Sequence, residues 1–172
     1  VLKLQKTLYA LVELQEIDNR LDELKAERGD LPLIVEELEN KYNQKKELLN
    51  EKNQALKDAK VKQKELELLI EEAKTKLSEF EEKLYQVKTN REYDAIMAET
   101  DSTKEKLETS EEELLTIHET IEKLEEEIKQ LDEELEKIGA ELEENRVELE
   151  KKLTATAEEE NLLNHEREII IN

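Results

Sequence analysis

The apolar residues of this chain recur at alternating steps of three and four, the spacing that gathers side chains on one face of an α-helix. Between about residues 32 and 86 one column is Tyr42, Leu49, Leu56, Gln63, Ile70, Leu77 and Leu84, each seven residues from the last. Its companion is Leu38, Lys45, Lys52, Ala59, Leu66, Ala73, Phe80 and Val87. A heptad frame sustained this long predicts a coiled coil, because that repeat keeps one seam turned toward a partner helix. The polar members Lys45, Lys52 and Gln63 are tolerable, since a Lys stem can lie along a seam with its head in water. A second frame follows. One column is Tyr93, Thr100, Leu107, Leu114, Ile121, Ile128, Leu135, Leu142 and Leu149, and the other is Ile96, Thr103, Ser110, Ile117, Leu124, Leu131, Ile138 and Asn145. Beyond Leu149, hydrophobicity puts Leu153 and Thr156 on the seam, a four-residue step of the stutter type. Leu14, Ile17, Leu21 and Leu24 form a shorter run near the start.

Two interruptions divide these frames. Gly29-Asp30-Leu31-Pro32 joins a residue suited to ending a helix with one suited to the first turn of the next. In Gln86-Val87-Lys88-Thr89-Asn90, Thr89 is followed three residues later by Glu92, the signature of a capping box. The predicted elements are a helix over 1–28, a break at 29–32, a helix over 33–86, a tip at 87–91 and a helix over 92–170. Folding at the tip pairs residues whose numbers sum to roughly 177, as two antiparallel seams require. Phe80 then meets Ile96 and Met97, Leu56 meets Ile121, and Leu8 meets Ile169. The break falls opposite Asn145–Val147, so Gly29, Asp30, Pro32 and Asn145 are the expected kink residues. The expected fold is all-α, one long kinked antiparallel coiled-coil helical hairpin of roughly 120–130 Å at ~1.5 Å per residue. The alternative is a three-helix fold-back in which residues 1–28 return along 32–60 and leave 145–172 unpaired. Arms of matched length favour the hairpin.

Charge agrees with pairing inside one chain. The net charge is −21. Residues 32–88 hold 12 Lys/Arg against 13 Asp/Glu, whereas residues 89–172 hold 10 against 28. Two copies of the acidic helix side by side would repel more than that helix beside the Lys-rich one. The same acidity argues against direct nucleic-acid binding by this chain, since phosphate backbones reward Lys and Arg clusters. The chain has no cysteine, so it forms no disulfide and holds no thiolate metal site. Its longest apolar runs, Leu33-Ile34-Val35 and Ile169-Ile170-Ile171, fall far short of the ~20 residues of a membrane span. A cytoplasmic protein is the expectation, with its oligomeric state left open.

Little in the sequence suggests catalysis. Runs such as Glu111-Glu112-Glu113 and Glu125-Glu126-Glu127 read as solvated helix faces, because acid–base work needs a pocket that shifts a carboxyl pKa. His118 and Glu122 are four residues apart, but two ligands do not make a structural zinc site. No glycine-rich phosphate loop or nucleophile–base motif is present. The expectation is a protein that is not an enzyme, with no catalytic residue, no metal ligand and no cofactor. The tip differs from the rest: Thr89, Asn90, Arg91, Glu92 and Tyr93 bring hydroxyl, amide, guanidinium and phenol groups into a monotonous pattern. Loop tips on rigid scaffolds often carry recognition, so these are the candidate partner-binding residues. The plainer reading is that Thr89 and Glu92 cap a helix and Tyr93 fills the last seam layer.

Three landmarks carry a resemblance. Leu11-Val12-Glu13-Leu14-Gln15-Glu16-Ile17-Asp18, Arg28-Gly29-Asp30-Leu31-Pro32-Leu33 and Asn90-Arg91-Glu92-Tyr93-Asp94 resemble, in order and spacing, the bacterial coiled-coil proteins that end in a C4-type zinc ribbon. The resemblance implies a kinked helical hairpin followed by a ribbon with two Cys-x-x-Cys pairs, expected after residue 172. Zinc would belong to that ribbon and to no residue of this chain. It also implies protein and RNA partners, an alternative sigma factor among them, and a link to flagellar gene expression. Three functions compete on these grounds: an adaptor that binds a regulatory protein of transcription, an RNA-binding protein acting through the ribbon, and a structural spacer.

Overall fold

The computed structural model describes all 172 residues, as three helices and no strand: α1 (Leu2–Arg28), α2 (Leu31–Leu84) and α3 (Asn90–Ile171). α1 ends because Gly29 adopts φ +55°, a conformation other residues rarely accept, while its N–H bonds the Ala26 carbonyl at 3.0 Å. The helix resumes at once. The Asp30 carbonyl accepts the Ile34 N–H at 2.9 Å, and Pro32 sits in the first turn of α2, where its missing donor is no loss. α2 therefore starts two residues before the expected 33. It also stops two before the expected 86. Tyr85 and Gln86 instead bond the carbonyls three residues back, Glu82 at 3.2 Å and Lys83 at 2.9 Å, in a tightened closing turn. Asn90 and Arg91, expected in the tip, form the first turn of α3.

The chain divides into two units. One is Lys46–Glu133, where α2 and α3 run antiparallel on either side of the closing turn. Each expected seam position from Leu49 to Leu84 of α2, and Val87 just after it, is buried or half-buried, and Leu66 is 1% exposed. Ala59, Ile121 and Leu124 form a core cluster with Leu56 and Ile117 packed against it.

The second unit joins Val1–Lys45 with Glu134–Asn172. Here α3 lies against both α1 and the start of α2. Arg20 reaches Glu159 at 2.6 Å, Asp18 reaches Arg167 at 2.9 Å, Glu39 reaches Arg146 at 2.6 Å, and Arg28 pairs with Glu160. These contacts rule out the fold-back, which would leave residues 145–172 unpaired. The protein is a kinked antiparallel coiled-coil helical hairpin.

α1 and α2 keep one heptad frame through the break, while two expectations for α3 are corrected. The backbone breaks at Gly29, yet the heptad phase does not: Ile17, Leu24 and Leu31 are buried and Leu38 half-buried, all seven apart. On α3 there is no stutter after Leu149. Leu149, Thr156, Leu163 and Ile170 continue one column, Lys152 takes the seam position between the first two, and Leu153 is exposed. Nor does Asn145 face the break. Its amide donates to the Glu141 carbonyl of its own helix at 2.7 Å, while its neighbour Arg146 pairs with Glu39. Residues opposite the break lie further along α3, where Arg28 donates to Thr156 at 3.0 Å. The cause is the lean of helical side chains toward their own N-terminus. In an antiparallel pair that lean makes contacts between higher-numbered partners, as in Lys52–Glu127 and Asp18–Arg167, whose numbers sum to 179 and 185 rather than 177.

Candidate interaction site at the closing turn

The turn between α2 and α3 is built by its own side chains. The Thr89 hydroxyl accepts the Glu92 N–H at 3.2 Å, and the Thr89 carbonyl accepts the Tyr93 N–H at 3.1 Å. The Glu92 carboxylate reaches back to the Lys88 N–H at 3.2 Å, one residue before the partner a standard capping box would give it. Thr89 and Glu92 thus fix the entry to α3. Asn90 and Arg91 stand exposed in its first turn. Tyr93 is 45% exposed, so the seam is closed instead by Ile96 and Met97, both half-buried.

One residue of this surface was not marked by the sequence reading. Tyr85 is 85% exposed, the most open aromatic ring of the chain. The available signal was its position: it follows the seam residue Leu84 and belongs to neither column, so an aromatic there has no core to enter. Tyr85, Lys88, Arg91 and Tyr93 therefore lie on or beside the turn with no ion pair inside the chain, and Lys88 and Arg91 balance Glu92 and Asp94. Beside the turn, Leu77, Phe80, Leu84 and Met97 line a groove of about 490 Å³, with Lys74, Lys104 and Glu81 among its other walls. Phe80 and Met97 thus share one groove. The Lys83 ammonium lies 6.0 Å from the centre of the Phe80 ring.

The ionic contacts of the closed unit are arranged unevenly. Lys52 pairs with Glu127 at 2.7 Å and Lys60 with Glu125 at 3.8 Å. No ion pair joins α2 to α3 among residues 61–124, although Lys62, Lys64, Lys74, Lys76, Lys83, Lys88, Arg91, Lys104, Lys106 and Lys123 all lie there. The hydrogen bond from Lys52 holds the Glu127 carboxyl below the ordinary range, and Lys45 and Arg20 do the same for Glu134 and Glu159. The Arg20 guanidinium is raised in turn by its hydrogen bonds to Glu159 and Glu23.

Elsewhere the side chains offer less chemistry. His118 Nδ1 lies 3.4 Å from the Gln63 amide nitrogen across the seam. No group of three or more His, Cys, Asp or Glu is placed to hold a metal ion, and no helix is long and apolar enough to cross a membrane. Near the free ends, Leu8 and Ile169 do not face each other; both are exposed. The Asp18–Arg167 contact sets the level of the two helices, and α1 reaches sixteen residues past Asp18 to Leu2 while α3 reaches four past Arg167 to Ile171.

A hairpin of two antiparallel helical arms, closed by a capped turn that exposes tyrosine and arginine, belongs to the coiled-coil class. A solved structure shares its fold: the HP0958 protein from Helicobacter pylori CCUG 17874, with a TM-score of 0.72 and 17% sequence identity over 96% of this chain and 70% of that one. No protein-family model matches the chain, and neither does any curated protein.

Proposed function

We propose that this protein is a non-enzymatic adaptor that binds a protein partner through its closing turn. One observation carries the reading: Tyr85, Arg91 and Tyr93 are exposed to solvent at a turn whose entry into α3 is fixed by the Thr89 and Glu92 cap hydrogen bonds. Tyrosine and arginine dominate binding energy at protein interfaces, because each combines a large contact surface with a polar end. Holding them on capped helix termini removes much of the ordering cost of association. The resemblance to the zinc-ribbon coiled-coil proteins supports a regulatory partner in transcription, of the sigma-factor kind, and a cytoplasmic setting. Any RNA contact would then fall to a ribbon, not to these residues.

The test is capture of the partner by the intact protein and by a variant carrying Arg91→Ala and Tyr93→Ala. Both residues are exposed, so the variant should keep its helical signal and melting temperature while losing capture. Undiminished capture by a folded variant removes the turn as the binding site.

A further inference from the structure

From the seam beyond the break, we propose that α1 is a hinged arm: it separates as one unit from residues 150–171 of α3, about Gly29, while residues 31–149 stay paired. The proposal does not depend on the adaptor reading. Its first ground is what α3 offers α1. From Lys151 onward, seven residues of α3 are buried or half-buried, and only Leu163 and Ile170 among them are apolar. Between Ile96 and Leu149, thirteen of the nineteen such residues are apolar. α1 brings Leu14, Ile17, Leu21 and Leu24 to this seam, so its apolar residues meet a mostly polar partner. Segments with few apolar partners open at a lower free energy than the rest of a fold.

The polar members supply the hold. Arg20 grips Glu159 through hydrogen bonds of 2.6 and 3.1 Å, Asp18 reaches Arg167 at 2.9 Å, and Arg28 joins Thr156 and Glu160. The side chains of the first two pairs are 39–45% exposed, and ion pairs that water reaches contribute little. The hinge is equally defined. Only Gly29 and Asp30 separate α1 from α2. The Gly29 N–H bonds back to Ala26 while the Asp30 carbonyl serves Ile34, so each helix completes its own end and α1 can turn without unwinding α2. The other end of the hairpin lacks this freedom, because the closing turn ties α2 to α3. Opening turns Leu14, Ile17, Leu21 and Leu24 to water as one stripe that the closed arm covers.

Hydrogen exchange of the full chain, read by mass spectrometry, is the test. Amides of residues 14–28 and 156–170 should share one opening equilibrium and exchange faster than those of 59–73 and 121–135. Asp18→Arg, which sets two cations against each other, should speed exchange in both segments about fivefold, equivalent to ~1 kcal/mol. It should leave 59–73 and 121–135 unchanged. Exchanging the charges, Asp18→Arg with Arg167→Asp, should restore the parent rates. Protection of 14–28 equal to that of 59–73 overturns the proposal. So does protection that declines smoothly toward Leu2 and Ile171, since that is fraying from the ends. An Asp18→Arg effect that is confined to α1, that spreads over the whole chain, or that the exchanged pair does not reverse also overturns it.

Discussion

The two glycines of this chain should respond to alanine in opposite directions. Gly139 lies inside α3 with ordinary helical backbone, and a Cβ built there meets Cε2 of Tyr42 at 3.5 Å, a normal van der Waals contact. Nothing has to move. Gly139→Ala therefore removes the conformational cost of glycine in a helix, about 0.5–1 kcal/mol, and adds a methyl contact. For a chain of this size that corresponds to a rise in Tm of about 2–4 °C per kcal/mol. Gly29 is the reverse case. Its nearest neighbour to a new Cβ is the Ala26 carbonyl oxygen at 3.8 Å, so space is available, but φ +55° and ψ −139° are strained for alanine. Gly29→Ala should cost about 1–3 kcal/mol, all of it conformational. Urea denaturation followed by the helical circular-dichroism signal measures both. A destabilised Gly139→Ala would show that Tyr42 packs more tightly on α3 than this geometry implies. An unaffected Gly29→Ala would remove the reason given for the end of α1.

Three further outcomes follow from the packing, the cap and the ion pairs. Leu66→Ala, at a seam position 1% exposed, should cost about 2–5 kcal/mol, while the exposed Leu68→Ala stays within about 0.5 kcal/mol in the same denaturation assay. Thr89→Ala should destabilise the first turn of α3 by about 1 kcal/mol and speed amide exchange there. The Glu127 carboxyl titrates below its ordinary value of 4.5 because Lys52 hydrogen-bonds it, so its folded pKa lies under its unfolded one. Its contribution is present above that ordinary value and fades as pH falls through the folded pKa. Glu127→Gln should accordingly be less stable than the parent at neutral pH, and the difference should vanish in acid; a gap that persists in acid would contradict the ionic explanation.

The seams were legible in the sequence because a heptad states both the face and the phase of a helix. Leu56, Ala59, Leu66, Ile121 and Leu124 fall where the columns put them. The error after Leu149 came from following hydrophobicity instead of phase: Leu153 is the more apolar residue, but Lys152 is the one seven after Asn145, and its half-buried position fits a stem laid along the seam. The same heptad count would have shown that the Gly29 break leaves the frame intact. Contacts set by side-chain reach were less accessible. Nothing local announces that Arg28 meets Thr156 and Glu160, or that Glu92 caps Lys88 rather than Thr89. At the turn, Thr89 and Glu92 were visible through their spacing. Tyr85 was hidden because attention to seam positions passes over an aromatic that lies off them.

The adaptor reading is tested most directly by photo-crosslinking from the intact protein in its own cells. A crosslinking residue replaces Gln86, Lys88 or Asn90 at the turn, with Glu113 and Glu122, exposed positions of α3, as controls. The account predicts one shared protein adduct from the three turn positions and none from the controls. Equal labelling from the controls, adducts with RNA alone, or no protein adduct at the turn would contradict it.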